Sequence, residues 1–109
     1  MSDKEERLIA ILKDTLCCEQ APHILNHCVI QGDDIYMNDK YHLNKINDEW
    51  CVYSVVDGNR IEEISLTNCF SACILYIASV VMDNELCATL QNKFITLAAP
   101  LVKENSDSF

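Results

Sequence analysis

The spacing of apolar residues changes along the chain, and the first segment has the period of an amphipathic helix. From Asp3 to about Cys18, apolar residues recur near every third or fourth position, and charged residues fill the positions between them. Ser2 or Asp3 can serve as the N-cap. Glu5 and Glu6 fall in the first turn, where the helix dipole favours anions. We therefore predict a helix at the N-terminus.

Beyond residue 27 the pattern shortens to the two-residue period of β-strands and becomes rich in β-branched and aromatic side chains. Turn-forming residues separate five such segments, which are Cys28–Ile30, Ile35–Met37, Tyr41–Leu43, Trp50–Val56 and Arg60–Leu66. The strongest turn signal is Asp57-Gly58, because a two-residue type I′ turn needs positive φ and glycine adopts it without strain. The pattern predicts an antiparallel meander of four or five strands.

The helical period returns in the last third of the chain. Asn68 is a candidate N-cap for a helix with apolar residues on nearly every side, which should be the central buried helix. Asp83 or Asn84 should end it and cap a third helix, which Pro100 should end or kink. A polar tail from Lys103 is predicted to fray. The predicted fold class is α+β, with the two C-terminal helices packed on one face of the sheet.

Length and composition favour one domain spanning residues 1–109, because a chain of this size can bury one continuous core. Half of the residues are apolar and only two are glycine and two proline, which excludes disordered and fibrous classes. The longest apolar stretch, Cys69–Met82, is shorter than the roughly 20 residues that cross a bilayer. The charged N-terminus has no secretion signal, so we expect a cytoplasmic protein.

The seven cysteines are an odd number, which favours reduced thiols over a disulfide framework. Thiolate and imidazole groups are zinc ligands, and five potential ligands fall close together, at Cys17, Cys18, His23, His27 and Cys28. They contain no C-x-x-C pair and no paired histidine motif. We expect Cys17 and Cys28 to face the core at the end of the helix and the start of a strand, and no metal to bind, although the spacing leaves the metal alternative open.

No group of residues forms a convincing catalytic pattern. Cys17 and Cys18 lie at the C-terminal end of the predicted first helix, where the dipole opposes a thiolate, and Cys51 lies inside a strand. Gly32 and Gly58 are the only glycines, so the sequence has no phosphate-binding loop and no nucleophile elbow. We therefore expect neither an enzyme nor a cofactor.

Charge gives the clearest functional signal. Seventeen acidic residues face eight basic ones, giving a net charge of -9, which disfavours nucleic acid and anionic membranes and favours a basic protein partner. Acidic turn residues and nearby aromatic residues suit an interface in which the aromatics are buried and the charges speed encounter. Among the aromatic residues, Trp50 is the one that we most expect to lie in the core and not in the interface. The predicted partner-binding residues are Asp33, Asp34, Tyr36, Asp39, Tyr41, Asp48, Glu49, Tyr53, Asp57, Glu62 and Glu63.

The segments 35–43, 49–53 and 57–59, with the helix around residues 70–76, resemble small acidic bacterial immunity proteins of polymorphic and contact-dependent growth inhibition toxin systems. The resemblance is one of size, acidity and order of elements. It implies a cytosolic inhibitor, without catalysis of its own, that covers the cationic surface of a cognate toxin C-terminal domain, often an RNase or DNase.

Two other functions stay open from the sequence. One is a phage-type inhibitor that mimics DNA, although a charged share of 23% is ordinary for a globular protein and the apolar share of 50% is high, which makes the chain a weak mimic. The other is a small ligand-binding module with His42 and Tyr53 in a pocket between sheet and helices. The sequence does not decide which face binds a partner or whether the protein forms oligomers.

Overall fold

A computed structural model of the protein describes residues 2–17, 24, 29–66 and 68–103. Within these residues the chain forms three helices and five strands. In chain order they are α1 (Asp3–Leu16), β1 (Val29–Gln31), β2 (Asp34–Tyr36), β3 (Tyr41–Ile46), β4 (Glu49–Val56), β5 (Asn59–Leu66), α2 (Cys69–Val80) and α3 (Asn84–Lys103). The predicted α+β class is confirmed.

The strands form one antiparallel sheet in the order β1-β2-β3-β4-β5, so each strand pairs with the next one along the chain. Two-residue turns join β3 to β4 and β4 to β5. Their central residues all have positive φ, at 52° and 64° for Asn47 and Asp48 and at 51° and 80° for Asp57 and Gly58. Positive φ at both central positions is the type I′ geometry, which matches the right-handed twist of the strands. The hairpin predicted at Asp57-Gly58 is confirmed.

The sheet has an inner face, which packs against the helices, and an outer face. Strand alternation places Ile35, Leu43 and Val52 opposite one another on the inner face, where they join the buried core with residues of all three helices. The outer face is formed by Asp34, Tyr36, His42, Asn44, Cys51, Tyr53, Val55 and Arg60. None of these eight residues belongs to the core cluster that holds the helices to the sheet.

The N-terminal helix is attached to the sheet through its first turn. Ser2 and Glu5 form a capping box, in which each side chain accepts a hydrogen bond from the other residue's backbone N–H. Glu5 also accepts hydrogen bonds from Lys45 Nζ at 3.0 Å and from Trp50 Nε1 at 2.7 Å. Burial by itself raises the pKa of Glu5, but these hydrogen bonds outweigh it and lower the pKa to about 2. Trp50 is 1% exposed, as expected for a core residue.

The two C-terminal helices begin where the sequence predicts. Asn68 accepts a hydrogen bond from the Ser71 backbone N–H at the start of α2, and Asp83 accepts one from the Leu86 N–H at the start of α3. Of the two outcomes predicted for Pro100, an end or a kink in α3, the end does not occur, because the helix continues to Lys103. Proline removes only one backbone hydrogen bond near the helix end, and burial of apolar side chains along the last turns compensates for it.

Candidate partner-binding surface

A row of three aromatic side chains crosses the middle of the outer face. Tyr36, His42 and Tyr53 lie directly opposite one another on β2, β3 and β4. The ring centroids of Tyr36 and His42 are 4.4 Å apart at an interplanar angle of 75°, and those of His42 and Tyr53 are 5.5 Å apart at 72°. These are edge-to-face contacts, the arrangement that aromatic pairs favour. Cross-strand pairing thus orders the three rings into one row.

A buried amide fixes the end of this row at Tyr53. Asn44 Nδ2 donates a hydrogen bond of 2.7 Å to the Tyr53 hydroxyl, and Asn44 Oδ1 accepts one of 3.4 Å from the Ile35 backbone N–H. Asn44 and Tyr53 are each 3% exposed, although both point away from the core. Burial raises the pKa of Tyr53, so the phenol stays neutral in the physiological range. The polar contacts therefore hold this ring in one position.

Arg60 of β5 covers the Tyr53 ring. Its guanidinium carbon lies 4.5 Å from the ring centroid, within the range of a cation–π contact. Arg60 pairs with Val55 across β4 and β5, and its side chain is exposed. The outer face thus holds a cation of the protein itself against its aromatic row.

These side chains surround a concavity of about 460 Å³ that opens to solvent. Its lining consists of Tyr36, Asp39, His42, Tyr53, Val55, Gly58 and Arg60. The volume falls within the usual range of binding sites for small groups, and the lining combines apolar ring surface with a few charged groups. The arrangement can receive one side chain or one small molecule.

Three of the predicted acidic residues lie around the aromatic row, and a fourth, Asp57, lies in the turn next to the concavity. Asp39 lines the concavity, and Asp57 is exposed beside Gly58, which also lines it. Asp34 lies on the outer face, and the negative charges of Asp34 and Glu63 add to burial in raising the pKa of Tyr53. The structure therefore brings Asp34, Asp39 and Glu63 together with Tyr36 and Tyr53.

The other predicted partner-binding residues lie elsewhere. Asp33 and Asp48 lie at the opposite end of the sheet near Lys45, where the hydrogen bond to Glu5 raises the Lys45 pKa and the two aspartates raise it further. Glu49 is at that end too, at the start of β4. Tyr41 faces the helices, and its carbonyl oxygen accepts a 2.7 Å hydrogen bond from a tyrosine hydroxyl of α2. The side chain of Glu62 lies outside the described part of the structure.

Five outer-face residues are not among the predicted partner-binding residues, namely His42, Asn44, Cys51, Val55 and Arg60. One alternative from the sequence places His42 and Tyr53 together in a pocket between sheet and helices. The structure does bring them together, but on the outer face. Strand alternation, combined with the pairing register, would have indicated that these residues share one face of the sheet. The register shift between β4 and β5 at Val52 and Ser54 hides that signal for Arg60.

The cysteines and histidines give no additional site in the described residues. Of the five potential zinc ligands only Cys17 is described. The expectation that it faces the core is wrong, because Cys17 is the C-cap residue just past α1 and is exposed. Cys18, His23, His27 and Cys28 lie outside the described residues. Across residues 2–17, 24, 29–66 and 68–103, no three His, Cys, Asp or Glu side chains are grouped to hold a metal. Cys51 is buried on the outer face, with Sγ 3.4 Å from a serine hydroxyl.

The two thiols of α2 are buried near each other. The sulfur atoms of Cys69 and Cys73 are 3.9 Å apart, and both residues belong to the core. Burial, followed by the hydrogen bond with Cys69, raises the pKa of Cys73 well above its ordinary value. A protonated, enclosed thiol is a poor nucleophile, so this pair acts as apolar core.

Comparison with known proteins found no matching family model, no matching curated protein and no matching solved structure. None of the helices in the described ranges combines the length and the apolar content needed to span a membrane. The geometry and charge of the outer face are therefore the main evidence on function.

Proposed function

We propose that the protein is a cytoplasmic immunity protein that binds and neutralises a cognate bacterial toxin domain through the outer face of its sheet. One observation carries the proposal. Three aromatic side chains are ordered across β2, β3 and β4, with the carboxylates of Asp34, Asp39 and Glu63 around them, on the face opposite the helices. The same face combines a rigid apolar centre with a charged border, which is the usual anatomy of a tight protein interface.

The rigidity of the aromatic row supports a protein partner. Binding energy at interfaces concentrates in a few aromatic and arginine side chains that are already held in place. On the outer face, Asn44 fixes Tyr53, and the edge-to-face contacts fix His42 and Tyr36. Little side-chain entropy is lost when a partner covers such a row, so more of the contact energy contributes to affinity.

The charge distribution supports a cationic partner. The chain carries a net charge of -9, and Asp34, Asp39 and Glu63 lie around the aromatic row. A nuclease toxin presents a positively charged cleft for phosphates, and an acidic surface is attracted to it at long range. The same charges repel a second copy of this chain, so they favour a different protein over self-association through this face.

A growth-protection experiment tests the proposal. The toxin domain encoded beside this gene is expressed in cells together with the wild-type chain, Tyr36→Ala or Asp34→Lys, and survival is counted. We expect the wild type to protect and both outer-face variants to protect poorly. The control is Asp14→Lys, which makes the same charge change at an exposed position of α1. Failure of the wild type to protect, or no toxin gene beside this one, contradicts the proposal.

The concavity of about 460 Å³ favours a second candidate, a small ligand-binding module. A ligand that binds only the folded state raises the melting temperature, and the stabilisation grows with the logarithm of its concentration above Kd. A metabolite that stabilises the wild type but not Tyr36→Ala, in a chain that neutralises no toxin, would favour this candidate.

A further inference from the structure

We propose that the outer-face concavity is a cation cage that receives an arginine or lysine side chain of the partner, and that Arg60 occupies this cage in the free protein. The inference rests on the proposed function, because it names the chemical group by which the partner is held. It has its own test, which needs no toxin.

The walls of the concavity suit a guanidinium group. Tyr36, His42 and Tyr53 present ring surface and ring edges around one space, and aromatic rings attract cations placed over their faces. Arg60 already makes this contact, with its guanidinium carbon 4.5 Å from the centre of the Tyr53 ring. The site therefore accepts a cation of the class that we propose for the partner.

The charges around the concavity select against an anion. Asp39 is part of the lining, Asp34 lies on the same face, and the charge of Glu63 acts on Tyr53. A phosphate or carboxylate entering the site would be repelled by these carboxylates, and Arg60 is the arginine that would attract it. A guanidinium would meet aromatic rings and carboxylates together, the combination that arginine binds best.

The proposed role of Arg60 predicts opposite effects of its removal on the binding of a cation and of an anion. If Arg60 occupies the cage, removing it uncovers the Tyr53 ring and removes one positive charge, so an incoming cation binds more tightly. If Arg60 instead holds an anionic group of the partner, removing it weakens binding. Arg7 provides a matched control, because it is the other arginine of the chain and lies exposed on α1.

The test is an NMR titration of the full chain with N-acetyl-arginine amide and, separately, with inorganic phosphate. We expect the arginine derivative to shift the ring signals of Tyr36, His42 and Tyr53 with a Kd in the millimolar range or above, and phosphate to leave them unchanged. Arg60→Ala and Arg60→Gln should each lower that Kd about three- to tenfold, and Arg7→Ala should leave it within about twofold. The backbone spectrum of each variant verifies that it is folded.

Three results would overturn the cage: phosphate shifts the rings, the arginine derivative does not, or both Arg60 variants bind it more weakly. These results are distinguishable from failure of the proposed function. A chain that neutralises its toxin but does not bind the arginine derivative retains the immunity function without the cage. A chain that binds the derivative in the cage but neutralises no toxin retains the cage and loses the immunity function.

Discussion

The Trp50 indole N–H donates a 2.7 Å hydrogen bond to Oε2 of Glu5, which joins the first turn of α1 to the start of β4. Glu5 Oε1 meanwhile accepts hydrogen bonds from the Ser2 backbone N–H and from Lys45 Nζ. One buried carboxylate therefore caps a helix and attaches it to the sheet. Hydrogen bonds from several donors stabilise its charged form against the cost of burial.

This arrangement predicts an acid-dependent loss of stability at Glu5. Its pKa is about 2 in the folded protein and 4.5 without these contacts, a difference that corresponds to about 3 kcal/mol of stability. Because the folded pKa is the lower one, this contribution is complete above pH 4.5 and is lost as the pH falls towards 2. Glu5→Gln keeps the shape of the cap and removes the charge, so it should be less stable than wild type at pH 7.

Urea unfolding of wild type and Glu5→Gln at pH 7, 5 and 3 measures this effect. The difference in free energy of unfolding should be largest at pH 7 and should narrow below pH 4. Glu6→Gln is the matched control, because Glu6 is exposed in the same turn. A difference for Glu5→Gln that stays constant from pH 7 to pH 3 would contradict the charged role of Glu5.

The Asn44–Tyr53 hydrogen bond predicts coupling between two substitutions on the outer face. Tyr53→Phe leaves the Asn44 amide without its phenol partner, and Asn44→Ala leaves both the phenol and the Ile35 N–H without theirs. Each single change should cost about 1–3 kcal/mol, because buried polar groups lose their partners. The double variant should cost less than the sum, as measured by chemical unfolding in a double-mutant cycle. Additivity within about 0.3 kcal/mol would show that the two side chains act independently.

The turn between β4 and β5 predicts a conformational cost at Gly58. This residue has φ of 80°, and a Cβ added to it would meet nothing within 4 Å, so strain rather than crowding sets the cost. Gly58→Ala should lower the free energy of unfolding by about 1–2 kcal/mol. Gly58→Asn should lower it less, because asparagine adopts positive φ more readily. Equal stability of the alanine variant and wild type would mean that the hairpin uses another turn.

The local features of this fold could be predicted from the sequence. The caps at Ser2 and Asn68, the Asp57-Gly58 turn and the strand segments all depend on residues within a few positions of one another. Such features follow from local propensity and from turn chemistry. Pro100 is a local signal for the end of a helix, but α3 continues past it to Lys103 because the packing of the helix overrides that signal.

The composition of the site could be predicted only in part. Tyr41 and His42 are adjacent, and which one faces outward depends on the pairing register, since shifting a strand by one residue exchanges its faces. Tyr41 therefore lies on the inner face and His42 on the outer face. Arg60 reaches Tyr53 after a register shift, and Glu5 meets Trp50 across 45 positions of sequence. Contacts of this kind depend on the tertiary structure.

The acidic residues illustrate the same limit. The sequence indicates that the turns between residues 33 and 63 are acidic, but consecutive turns of a meander alternate between the two ends of a sheet. Asp33 and Asp48 therefore lie at one end near Lys45, and Asp39 and Asp57 lie at the other end. Of these four residues, only Asp39 and Asp57 lie at the end of the sheet where the concavity is.

The most direct test of the central claim is the equilibrium binding of the toxin domain encoded beside this gene to wild type, Asp34→Lys and Asp14→Lys at one fixed salt concentration. If the outer face binds a cationic partner, Asp34→Lys should raise Kd about tenfold or more, mainly by slowing association, and Asp14→Lys should change it by less than about twofold. Equal changes for the two variants, or no binding by the wild type, would contradict the claim.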